Sequence, residues 1–98
     1  MRVTFNPAAR RELREARDFY EDEREGLGAE FVAAVEDAIL LLQTHPEAAP
    51  QVAPQVRLHV IKRFPYSIIY SRLQKNHLGI LAIAHQSRRP FYWIGRLS

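Results

Sequence analysis

The chain has 98 residues, 14 Lys and Arg, 11 Asp and Glu, and a formal charge of +3, a size that suits a single domain over residues 1–98 with one modest core. An apolar share of 47% excludes a disordered chain, and zero Cys excludes disulfide frameworks, thiolate metal sites and cysteine nucleophiles together. No apolar run approaches the ~20 residues of a membrane helix, and the opening residues lack the apolar core of a signal peptide, so a cytoplasmic protein with no membrane partner is expected.

In chain order, residues 2–5 alternate polar and apolar with Val3 and Phe5 on one face, which predicts a short strand. Asn6-Pro7 reads as a helix N-cap followed by Pro at the first helical position. Ala9, Leu13, Ala16 and Tyr20 then form one apolar stripe, predicting a helix over residues 7–24. Its charges run against the helix dipole: Arg10, Arg11 and Arg14 come early, and Glu21, Asp22, Glu23 and Glu25 come late. The pairs Arg11–Glu15, Arg14–Asp18 and Arg17–Glu21 have helical spacing in the weaker orientation, so packing must hold this helix.

Gly26-Leu27-Gly28 permits a reversal, and Phe31, Val35, Ala38, Ile39 and Leu42 predict a second helix that ends before His45-Pro46. The short link makes the two helices an antiparallel hairpin. Residues 46–55, with Pro46, Pro50 and Pro54, read as a surface connection. Strands are expected over 56–61, 66–71 and 78–84, with turns at Lys62-Arg63-Phe64-Pro65 and Lys75-Asn76-His77. The last of these strands is almost wholly apolar, as a strand covered on both faces would be. The expected fold is α+β in the order β-α-α-β-β-β. A helical hairpin packs on one face of a small, mainly antiparallel sheet whose other face is partly open, and a short tail or helix closes the chain.

The four His residues, at 45, 59, 77 and 85, form no metal-ligand pattern, and every Asp and Glu lies at or before Glu47. Glu12, Glu15 and Glu36 read as surface charges. There is no phosphate-binding glycine loop, and Ser67, Ser71, Ser87 and Ser98 sit in no nucleophile context, so neither metal nor cofactor is expected. What remains is charge. Residues 1–47 carry six Arg against eleven acids, a balance of −5, whereas residues 48–98 carry eight cations and no acid. Such a split points to an acidic or polyanionic partner. In an antiparallel meander the end of the third strand lies level with the end of the first. Lys62, Arg63, His85, Arg88 and Tyr92 are therefore expected in one region, suited to phosphate or to carboxylates.

The segment Leu81-Ala82-Ile83-Ala84-His85-Gln86-Ser87-Arg88-Arg89-Pro90-Phe91-Tyr92-Trp93, with Arg96, resembles the C-terminal signature of the RelE/ParE toxin superfamily. Arg63-Phe64-Pro65-Tyr66-Ser67-Ile68-Ile69-Tyr70 resembles its central hairpin, and Phe5-Asn6-Pro7-Ala8-Ala9 and Asp18-Phe19-Tyr20 fit its first helix. The resemblance spans nearly the whole chain, and its specificity lies in the ordered combination. It implies the toxin of a type II toxin–antitoxin pair, held in a hetero-oligomer by a cognate antitoxin. The superfamily has two activities. ParE-like members inhibit DNA gyrase with no established catalytic residues, and the long hairpin, the acidic tip and the His85…Trp93 ending resemble that branch more closely. RelE-like members cut messenger RNA on the ribosome. On that alternative Arg63 and Arg88 hold phosphate while His85 and Tyr92 move protons. A non-toxic basic binding module is a third reading. The residues expected to meet target or antitoxin are Arg57, Lys62, Arg63, His85, Arg88, Arg89, Tyr92, Trp93 and Arg96.

Overall fold

The structure, a computed structural model, describes residues 1–97. Strand β1 (Arg2–Phe5) leads into helix α1 (Pro7–Glu23), helix α2 (Leu27–Thr44) and strands β2 (Gln51–Ala53), β3 (Val56–Val60), β4 (Tyr66–Gln74) and β5 (His77–His85). A 3-10 turn, Ile94–Leu97, follows. The sheet order is β1-β5-β4-β3-β2. Strand β1 runs parallel to β5, and every other neighbouring pair is antiparallel.

Asn6 caps α1 as its sequence requires: its side-chain oxygen accepts from the Ala8 amide at 2.8 Å, and Pro7 opens the helix. The N-cap of α2 is Gly26, which adopts a left-handed φ of 88° and has no side chain to offer. Glu21, on the last turn of α1, supplies the cap. Its two carboxylate oxygens accept from the Gly26 and Gly28 amides at 2.9 and 3.0 Å. An acid disfavoured at one helix C-terminus thus becomes an anion at the next helix's N-terminus.

Both predicted stripes face the sheet. Ala9, Ala16, Phe31, Val35, Ala38 and Leu42 are buried against Ile61, Phe64, Ile68, Tyr70, Leu78, Ile80 and Ile83. Rings fill the end beneath the helical link: Tyr20, Phe31, Phe64 and Tyr66 meet at centroid distances of 4.9–6.2 Å. The opposite face buries a smaller cluster of Val56, Ile69, Leu81, Ala82 and Trp93. Leu81 and Ala82 share that face because the β4–β5 register shifts between Ile69 and Tyr70, leaving Leu81 opposite no residue of β4.

Two expectations need correction. The segment 46–55 is not only a connection. It contains β2, which pairs Gln51 with Arg57 and Ala53 with Val56 at the sheet edge, where flanking Pro50 and Pro54 cost no ladder bond. The second sheet face is also less open than expected, because the tail lays Trp93 over it with 4% of its surface exposed.

Candidate functional site

The β4–β5 register sets Tyr66 opposite His85, and the Gln86 amide donates to the Pro65 carbonyl at 2.9 Å. The β3–β4 turn and the tail therefore leave the sheet at the same end, but they go to different places. The turn follows the helices. Phe64 is buried among their rings, and Arg63 pairs with Glu30 in the first turn of α2, where Arg24 also reaches that carboxylate at 3.3 Å. The hydrogen bond from Arg63 holds the Glu30 carboxyl below the usual carboxylate range. The tail instead passes the end of β5 to the second face. Turn-type bonds hold its path, Arg88 amide to His85 carbonyl at 3.0 Å and Tyr92 amide to Arg89 carbonyl at 3.2 Å.

Of the expected site residues, the structure gathers His85, Arg88, Arg89, Tyr92 and Trp93. They line one groove of about 250 Å³ with Val52, Leu58, Ile69 and Ala84. His85 stands edge-on to Tyr66 at 5.0 Å, and its Nδ1 accepts from the Ser87 amide at 2.9 Å. A nitrogen that accepts carries no proton, so the neutral ring bears its hydrogen on Nε2. The Arg88 guanidinium lies over the Tyr92 ring, 3.9 Å from its centre. The groove has an apolar floor, cations at its rim and no carboxylate among its lining residues. Its small volume and apolar floor fit apolar side chains of a peptide better than an enclosed small-molecule substrate.

The remaining expected residues lie elsewhere. The Arg57 guanidinium donates to the Ala49 carbonyl at 2.7 Å and shares a surface pocket with Gln51, Tyr70 and Arg72. Lys62 is exposed on the β3–β4 turn, and Arg63 is drawn to Glu30. Arg96 reaches around the β5 edge to Glu12 on α1, with Nη1–Oε1 at 2.9 Å and Nη2–Oε2 at 3.0 Å. The Tyr92 hydroxyl donates to the same carboxylate at 2.8 Å. Burial, and secondarily that hydrogen bond, pushes the Tyr92 pKa far up.

Glu12 is the residue that the surface-charge reading missed. It is half-buried because it sits beside Leu13 on the edge of the apolar stripe. A signal for it does exist: with no acid after residue 47, a buried tail arginine must find its carboxylate in the first half. Glu12 and Glu15 also line a second pocket of about 220 Å³, together with Phe19, Tyr66, His85 and Arg88. The basic side of His85 and Arg88 thus adjoins carboxylates.

Two helices on one face of a mixed five-stranded sheet, with a basic tail folded over the other, define a small α+β domain of the RelE/ParE toxin type. The family model described as the ParE toxin of the type II toxin–antitoxin system, parDE, matches residues 3–90, and the chain belongs to that family. It is a toxin of the type II class. Among solved structures, the "Chromosomal ParDE TA system from P. aeruginosa" matches with a TM-score of 0.61 at 21% identity, over 87% of this chain and 95% of that one. At that identity the likeness shows the fold. No curated protein matches. Among the described residues, no helix is long and apolar enough to cross a membrane.

Proposed function

We propose that the chain inhibits DNA gyrase by binding it in the cytoplasm, and that a cognate antitoxin neutralises it in a toxin–antitoxin hetero-oligomer. The antitoxin contact would be an acidic segment with apolar side chains, seated in the groove between the sheet and residues 88–93. One observation supports binding over RNA cleavage: His85, Arg88 and Tyr92 share one groove, but two of the four groups that cleavage would need are engaged elsewhere. Arg63 is committed to Glu30, and the Tyr92 hydroxyl to Glu12 with its proton held tightly. His85 and Arg88 share their second pocket with two carboxylates, which would repel a scissile phosphate. Gyrase inhibition needs a surface and no such set.

The test is a pair of assays on the purified protein. Gyrase supercoiling should stop, and ribosome-bound message should stay intact. Intact supercoiling with cut message overturns the reading in favour of the ribonuclease. Loss of neither activity, with salt-sensitive binding to random RNA, marks a plain basic module.

A further inference from the structure

We infer that Glu12 is a positioning residue: it holds the carboxy-terminal tail on the sheet and so sets the wall of the groove. This holds whichever target the protein has. The need for such a residue begins where β1 stops. The last register pair of that strand is Phe5 with Ile80, and the Asn6 amide donates to the Ile80 carbonyl. Beyond it, Leu81–His85 has no strand on that side, and a buried strand edge cannot leave its amides and carbonyls unpaired.

Two side chains stand in for the missing strand. Glu12 Oε1 accepts from the Ile83 amide at 3.0 Å, and Arg96 Nη1 donates to the Leu81 carbonyl at 3.0 Å. The bulge at Leu81 turns that carbonyl toward Arg96. Because Arg96 and the Tyr92 hydroxyl also donate to it, the Glu12 carboxylate receives four bonds, near its capacity of about four acceptor sites. The pair is sheltered, with 13% of the Glu12 side chain and 19% of the Arg96 side chain exposed. One carboxylate on α1 therefore fixes an edge of β5 and two points of the tail. The residues between those points and His85, Arg88 to Trp93, are the groove wall.

The experiment uses the full chain with three variants: E12A, E12Q and R96M. Trp93 is the only tryptophan, so acrylamide quenching of its fluorescence reads the tail alone. Hydrogen exchange at the Ile83 amide reads the bond to Glu12, and exchange at Ile68 and Tyr70 reads the core. In E12A, Ile83 should exchange about tenfold faster while the core amides hold, because only the local opening is eased. Trp93 quenching should rise with it. In E12Q the carboxamide still accepts from Ile83, so that amide stays protected while the tail loosens for want of a charge partner for Arg96. R96M should loosen Trp93 and spare Ile83; it carries the test where E12A does not fold. Quenching unchanged in every folded variant overturns the inference. So does a uniform speeding of all amides, which marks a general loss of stability instead.

Discussion

A Cβ on Gly28 would sit 2.6 Å from the Arg17 carbonyl oxygen and 2.9 Å from Glu21 Oε1. The first is backbone and cannot move aside cheaply. Gly-to-Ala inside a helix ordinarily stabilises by up to ~1 kcal/mol. Here the sign should reverse: G28A is expected to lose about 1–3 kcal/mol by forcing the helices apart, read as a drop in thermal midpoint or denaturant midpoint. His59 gives a second residue-scale prediction, with a sign set by burial. Burial on β3, and then the charge of Lys62, holds its imidazole below its ordinary value. The unfolded chain takes the proton at about pH 6.5 and the folded chain only at lower pH. Stability present above that pH is therefore lost as pH falls, and the loss levels off below the folded value. Urea midpoints for wild type and H59Q should diverge below about pH 6.5, with the variant flatter. The nearness of His85, Arg88 and Tyr92 was legible in the sequence, because all three lie within eight residues at the end of the last strand. The course of Arg63 was not, because strand order fixes which end a turn occupies but not which sheet face its side chains follow.

At the scale of elements, both helices and four of the five strands could be traced from periodicity to within a few residues, since their apolar positions repeat along turns or pleats. Strand β2 could not: three residues between prolines carry no period, and they are strand only because β3 supplies the partner. The charge order of α1 looked like a flaw within one helix. Of its three helically spaced pairs none forms an ion pair among the described residues; Arg17 meets Asp18 instead, and Glu21 turns to the amides of α2. The conflict resolves only when the two helices are taken as one unit, which a reading along α1 alone does not reveal. Hence E21A should cost about 1 kcal/mol, the usual worth of a helix cap, although the side chain is exposed and its removal relieves a dipole clash in α1. Helix propensity of α1 considered alone predicts the opposite sign. Denaturant unfolding of E21A separates the two.

For the whole molecule, part of the opposed charge of the two halves is paired between them. Glu12–Arg96, Glu30–Arg63 and Glu47–Arg72 each join an acid of the first half to a cation of the second, and Arg57 is occupied by carbonyl oxygens. Of the eight cations of residues 48–98, three therefore have a carboxylate partner from the first half. Arg88 and Arg89 differ: among the described residues neither has a carboxylate partner, and both stand at the rim of the apolar groove. If an acidic antitoxin segment docks there, its acids must answer to this doublet, and its apolar side chains to Val52, Leu58, Ile69 and Trp93. The two contributions respond differently to salt, because rim charges are screened within about 8–10 Å while apolar burial is not. The double variant R88E/R89E should weaken antitoxin binding at least about tenfold at low salt and show little further loss as salt rises. Wild type should weaken steadily over the same range. L58A, which trims the floor, should weaken binding by a similar factor at every salt concentration. Isothermal titration with the antitoxin at several ionic strengths measures both slopes. Equal salt dependence in wild type and R88E/R89E would move the contact away from this rim, leaving the hairpin's acidic tip as the charged surface to test next.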